Sequence, residues 1–199
     1  MVLPDLPKQA LLFVPLGGSG EIGMNLNLYC CNGKWVMVDL GMTFADPSLP
    51  GVDLVFPDPS FIEMMRDDLL GIVLTHGHED HIGAIPYLWP ELDVPLYASP
   101  FTAGLIRTKL DEHGLREQAE LIEVPVGGEM SIGPFQFKYI PLAHSIPEGN
   151  ALVITTPFGK VFHTGDWKFD EDPIIGSPAL PQELRAIGDQ GILALIGDS

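Results

Sequence analysis

Short apolar runs bounded by glycine, proline and asparagine recur along the chain, a rhythm that predicts strands more often than helices. Residues 11–16 read as a first strand. Leu26, Leu28 and Cys30 then alternate with other residues, and Asn32-Gly33 supplies a tight hairpin turn before a partner strand at 35–38. Further apolar strands are expected at 71–75 and 135–140. Residues 151–156 and 161–163 flank a Pro157-Phe158-Gly159 turn and read as a second hairpin, and 191–196 reads as a last strand. Helices are fewer and are expected at 61–65, 82–88 and 102–112. The pattern predicts an α/β chain with many strands.

Composition narrows the function classes. The 199 residues suit one domain or one long stretch of a larger one, and 22 glycines and 19 prolines are spread along them without a linker or repeat. Hydrophobic residues at 46% and charged residues at 19% exclude a disordered chain. The longest run free of Asp, Glu, Lys and Arg, residues 94–106, is broken by proline. A membrane span needs roughly 18 or more apolar residues, so no membrane partner is expected. Ten basic against 27 acidic residues give a net charge of −17, which argues against nucleic-acid affinity from charge alone. A protein of this charge that handles nucleic acid needs positive charge from elsewhere, such as a bound metal. Cys30 and Cys31 are adjacent, so they build neither a CxxC motif nor a disulfide framework, and they read as small core residues. With a poor signal peptide at residues 1–10, this points to a cytoplasmic location.

Gly18-Ser19-Gly20-Glu21-Ile22-Gly23 satisfies the GxGxxG pattern, and Asp39 follows at the spacing of a ribose-binding acid. That reading requires a helix to start inside the motif, so that its N–H groups meet a pyrophosphate. Residues 24–33 instead alternate and turn like a hairpin strand, and a glycine-rich strand connection is the better account.

The chemistry concentrates in His76-Gly77-His78-Glu79-Asp80-His81, directly after the strand at 71–75. A tight turn at a strand end can point His76 and His78 one way while Asp80 and His81 face a neighbouring point. Imidazole and carboxylate together suit zinc or a similar divalent ion. The bland alternative is a polar helix start with Asp80 as its cap. Two more candidates stand at strand ends followed by small or turn residues, His144 in Pro141-Leu142-Ala143-His144-Ser145 and Asp166 in His163-Thr164-Gly165-Asp166. Alone each reads as a surface or capping residue; beside the histidine cluster each becomes a ligand candidate. His113 and His163 read as structural.

The order HxHxDH, a single His, then Gly-Asp resembles the metallo-β-lactamase fold of binuclear metallohydrolases. Leu16-Gly17-Gly18-Ser19-Gly20-Glu21-Ile22-Gly23-Met24-Asn25 is similar to the N-terminal signature of the ribonuclease J family, in the β-CASP group of that superfamily. Thr75-His76-Gly77-His78-Glu79-Asp80-His81-Ile82-Gly83, His144-Ser145-Ile146-Pro147 and His163-Thr164-Gly165-Asp166-Trp167-Lys168-Phe169-Asp170 continue the likeness. The fold it implies is the N-terminal portion of an αββα sandwich, with mixed sheets and flanking helices across residues 1–199. It assigns one divalent ion to His76, His78 and His144 and a second to Asp80 and His81, bridged by Asp166. Zn2+ is the expected ion, with Mn2+ or Mg2+ as alternatives. Asp80 is the expected catalytic residue, holding or deprotonating the attacking water, and Asp39 is expected to orient a ligand imidazole. A structural Ca2+ site at Gly51 and Asp53 is a weaker implication.

The implied activity is 5′-3′ exonucleolytic and endonucleolytic hydrolysis of RNA in maturation and decay, by a cytoplasmic homo-oligomer. The family's second ion takes a further His from far downstream, and its RNA channel lies largely in an inserted domain. No His follows His163, and Asp198-Ser199 resembles the start of the next family motif. The chain is therefore expected to be the N-terminal part of a longer enzyme, and inactivity on its own would be no surprise. Two other readings stay open: a thioester or lactam hydrolase on the same fold, and a non-catalytic metal-binding module.

Overall fold

A computed structural model describes residues 6–7, 9–176 and 181–197. Asp198-Ser199 and most of residues 1–10 lie outside them. Strand β1 (Leu11–Gly17) pairs antiparallel with β2 (Leu26–Cys31), and β2 with β3 (Lys34–Val38). Asn32 and Gly33 turn this hairpin with φ of 54° and 76°, the left-handed pair that a two-residue turn demands. The two-residue strands β4 (Thr43–Phe44) and β5 (Leu54–Val55) form a separate ribbon. Helix α1 (Ser60–Glu63) precedes β6 (Leu69–Val73), which lies parallel to β3. Helices α2 (Glu79–Ile82) and α3 (Ile85–Leu92) lead to β7 (Leu96–Ala98), and α4 (Pro100–Glu112) leads to β8 (Leu121–Glu123). The first sheet runs β1-β2-β3-β6-β7-β8.

The second sheet is an antiparallel meander of β9 (Glu129–Ile132), β10 (Phe135–Pro141), β11 (Asn150–Thr156) and β12 (Gly159–His163). After helix α5 (Pro181–Gly188), strand β13 (Ile192–Ile196) joins β12 in parallel. Because β10 and β12 are both antiparallel to β11, they run the same way.

Period-two alternation explains the layers. In β2, Leu26, Leu28 and Cys30 pack with Trp35, Met37 and the helical residues Ile85, Trp89 and Ile106 on the outer face of the first sheet. Tyr29 and Cys31 point the other way, into a core with Val36, Val38, Phe137, Leu152 and Ile154 between the sheets. On the far face of the second sheet, Ile140, Leu142 and Val153 pack with Leu184 and Ile187 of α5. The result is the expected αββα order of layers, with both cysteines free and buried in the core.

The structure corrects several details. The helix expected at 82–88 is split between α2 and α3. Asp80 O, which Ala84 N–H would reach in a continuous helix, accepts from Asn25 N–H at 3.0 Å, while Ala84 N–H turns to Leu40 O at 3.1 Å. Pro86 then suits the first turn of the new helix, where a missing N–H costs nothing. The strand expected at 71–75 ends at Val73, leaving Thr75 and His76 in a loop. No helix starts in the glycine motif; residues 18–23 are a chain of bends before β2, as a strand connection requires. Among the described residues, no helix is long and apolar enough to cross a membrane.

Candidate metal centre

Four strand ends converge on one point. Asp39 follows β3, the His76–His81 segment follows β6, His144 follows β10 and Asp166 follows β12. The segment 39–42 backs the histidine loop closely. Leu40 N–H donates to His81 O at 2.8 Å, Met42 N–H to Glu79 O at 3.0 Å, and Gly41 N–H to Asn25 O at 2.8 Å. Gly41 is needed here because a Cβ would stand 1.6 Å from Asp80 O. Gly165, at φ +55°, lets the loop after β12 pack against the start of the histidine loop, since a Cβ there would lie 3.2 Å from Thr75 Cβ and 3.0 Å from Asn150 O.

Two donor groups result. His76, His78, His144 and Asp166 form one, and Asp80, His81 and Asp166 the other, so Asp166 belongs to both. In the first, His78 Nδ1 lies 3.1 Å from both His76 Nε2 and His144 Nε2, and Asp166 Oδ2 lies 3.5 Å from His144 Nε2. In the second, His81 Nε2 stands 3.2 Å from Asp166 Oδ1 and 3.6 Å from Asp80 Oδ2. Behind both sits Asp39, buried, with Oδ2 2.8 Å from His81 Nδ1. Its carboxylate also accepts from Thr75 N–H at 2.8 Å and from the Thr75 hydroxyl at 2.9 Å. Because that hydroxyl donates to Asp39, its oxygen accepts from His76 Nδ1–H at 3.0 Å. One buried carboxylate thus turns the Nε2 atoms of two imidazoles toward the centre.

The sequence profile described as "Metallo-beta-lactamase superfamily" matches residues 27–192. The chain belongs to that superfamily.

Within the metallo-β-lactamase superfamily, the chain is 48% identical over 195 residues to a protein named "Ribonuclease J" from Sinorhizobium meliloti, covering 96% of this chain and 35% of that one. It is 40% identical over 193 residues to a "Ribonuclease J" from Helicobacter pylori, covering 96% of this chain and 28% of that one. The chain therefore spans about a third of the length of these curated relatives. Among solved structures, the metallo-beta-lactamase fold protein YhfI from Bacillus subtilis aligns with a TM-score of 0.55 at 16% identity, over 80% of this chain and 63% of that one. A protein of unknown function from Enterococcus faecalis aligns with a TM-score of 0.61 at 22% identity, over 80% of this chain and 44% of that one. Both likenesses concern the fold.

The electrostatics of this metallo-β-lactamase centre are set by burial and by its two acids, Asp39 and Asp166. Burial opposes charge on His81, yet Asp39 and Asp166 hold its pKa up at about 10. Burial and the neighbouring His81 press His76 down to about 3, and burial lowers His144 as well. Burial would raise the Asp166 carboxyl, but the surrounding imidazoles hold it down at about 2. Asp166 Oδ1 is buried and accepts no hydrogen bond of good geometry, and such an atom requires a partner. Three mutually close imidazole nitrogens with the Asp166 carboxylate beside them fit a divalent ion.

The structure thus brings together His76, His78, Asp80, His81, His144 and Asp166, with Asp39 behind them. Gly51 and Asp53 lie on an exposed turn and join no group of three donors among the described residues. His113 stands apart, with Nδ1 2.9 Å from Lys109 O. Asn25 and Thr75 were not singled out as individual residues by the sequence; only chain crossings separated by dozens of residues reveal them.

Proposed function

We propose that this chain carries the metal-holding centre of a metal-dependent hydrolase that cuts RNA phosphodiester bonds. The observation behind this reading is the shared carboxylate: Asp166 takes part in two donor groups, the arrangement that holds two ions side by side. In the proposal His76, His78 and His144 hold one ion, Asp80 and His81 the other, and Asp166 bridges them. Two divalent ions bound there supply Lewis-acid stabilisation of charge on a phosphoryl group and a water acidified toward neutral pH. They also bring local positive charge to a protein of net charge −17, which answers how an acidic chain meets RNA.

The chain's own residues do the rest. Asp39 fixes the His81 and His76 rings, directly and through Thr75. Asp80, partly exposed at the edge of the second group, takes the proton from the attacking water at its carboxylate. The choice of RNA over other substrates rests on the ribonuclease J relatives at 48% and 40% identity. The same likeness supports the finer reading: 5′-3′ exonucleolytic and endonucleolytic cleavage in RNA maturation and decay, in the cytoplasm, by a homo-oligomer, with residues 1–199 as the N-terminal part of its metallo-β-lactamase domain. Zn2+ is the proposed ion, with Mn2+ or Mg2+ able to replace it at the oxygen-rich second position.

The test is a substrate panel of labelled RNA, a thioester and a β-lactam, given to the natural gene product and to its Asp80→Ala and His78→Ala variants. The account expects RNA cleavage by the wild type alone and no turnover of the other two substrates. Thioester or lactam turnover without RNA cleavage, or undiminished RNA cleavage by either variant, overturns it.

A further inference from the structure

A cavity of about 410 Å³ opens beside the second donor group, lined among others by Asn25, Asn27, His81, His163 and Glu21. Among the described residues, no Lys or Arg lines it. Glu21 is turned to its own loop, accepting from Gly18 N–H at 3.2 Å. Asn25, 6% exposed, places its amide nitrogen 3.2 Å from His81 Nε2, the atom that faces Asp80 and Asp166. Gly18 makes room for this carboxamide, since a Cβ there would stand 2.2 Å from Asn25 Oδ1.

His163 has a hydrogen-bonding direction that the fold imposes. The hydroxyl of Tyr29, buried in the core between the sheets, lies 2.9 Å from His163 Nδ1 and has no other hydrogen-bond partner among the described residues. If Nδ1 carried the proton, the Tyr29 O–H would be buried without an acceptor. The hydroxyl therefore donates to Nδ1, and the neutral imidazole carries its proton on Nε2. Nε2 has no protein partner among the described residues, and the ring lines the cavity. Asn25 and His163 are thus neutral donors on one cavity beside the cation position, and the Asn27 side chain, 8% exposed, lines the same cavity.

We propose that this cavity is an anion subsite, in which the Asn25 amide and His163 Nε2–H donate to the non-bridging oxygens of a phosphate held against the second cation position. Neutral donors suit a phosphodiester, whose single charge the adjoining cations already balance. His163 and Asn25 are binding residues in this assignment, and Tyr29 is the positioning residue that fixes the proton of His163. The inference rests on the cation centre proposed above and adds the place where substrate phosphate sits.

The test uses the natural gene product loaded with Zn2+, inorganic phosphate as the probe, calorimetry for affinity and elemental analysis for ions per chain. Asn25→Leu and His163→Leu keep approximate volume and remove the donor, and each is expected to weaken phosphate binding about tenfold while two ions remain bound. His163→Gln, whose amide N–H stands where Nε2–H stood, is expected to stay within about threefold of the wild type. Tyr29→Phe, which leaves both rings in place and frees the His163 proton, is expected to fall between, and it serves if His163→Leu does not fold. Phosphate affinity unchanged in Asn25→Leu and Tyr29→Phe, or equal losses in His163→Gln and His163→Leu, overturns the inference. A wild-type chain that takes up no divalent ion overturns the proposed function and this inference together, whereas unchanged phosphate affinity with two ions bound overturns this inference alone.

Discussion

Asp39 Oδ2 stands 2.8 Å from His81 Nδ1, both side chains almost fully buried, at the junction of β3 with the histidine loop. Asp39 holds φ at +64°, a left-handed conformation rare outside glycine, so its own backbone is bent to bring the carboxylate there. Burial would raise its carboxyl, yet the charge and hydrogen bond of His81 hold it below the usual carboxylate range.

Removing that charge is expected to loosen the centre without emptying it. Asp39→Asn keeps the shape but leaves the His81 ring free to change tautomer, and affinity for divalent ions should fall about 10–100-fold, as for other partners behind metal ligands. A chelator-competition titration with Zn2+ measures it. Unchanged affinity would separate Asp39 from ligand orientation.

The tight backing of the histidine loop gives a stability prediction. Gly41→Ala places a methyl 1.6 Å from Asp80 O, and no flexible side-chain end is there to move aside. A loss of about 3 kcal/mol is expected in urea unfolding, at the upper end of ordinary overpacking. Gly20→Ala, where a Cβ meets nothing within 4 Å, should cost less despite its φ of +78°.

His163 gives a pH prediction. Burial first of all lowers its pKa from 6.5 to about 4, against the opposing pull of Asp39. The unfolded chain takes up a proton as pH falls through 6.5, while the folded ring stays neutral until about pH 4. Keeping this ring neutral therefore costs stability on acidification: no cost above pH 6.5, and a growing one between 6.5 and about 4. Gln does not titrate, so the stability difference between wild type and His163→Gln should move in favour of the variant between pH 7 and pH 5. Urea unfolding of the metal-free proteins at the two pH values reads it, and a pH-independent difference would contradict a buried neutral His163.

Much of the centre was legible because its chemistry is local in sequence. Four of its donors fall within six residues, and His144 and Asp166 each follow a strand that its apolar run announced. The hairpins at Asn32-Gly33 and Pro157-Gly159 were legible for the same reason, since turn chemistry and alternation agree. Strands β7 and β8, of three residues each, carry too little pattern to register against the helices around them. Helix α5 escaped because residues 181–188 are largely exposed and present only Leu184 and Ile187 to the sheet. The split of α2 from α3 depends on Asn25 and Leu40 capturing backbone groups from more than forty residues away, and the roles of Asn25 and Thr75 depend on the same crossings. Such contacts exist only once both sheets are assembled.

The proposed hydrolysis of RNA depends on the ions that the histidines and carboxylates of this centre would hold. The most direct measurement is RNA cleavage by the natural gene product before chelation, after chelation and after return of Zn2+ or Mn2+, with the Asp166→Asn variant alongside. The account predicts that chelation abolishes cleavage, that the returned ion restores it in the wild type, and that Asp166→Asn stays inactive throughout. Cleavage that persists at its original rate in the chelated protein, or in Asp166→Asn, would contradict it.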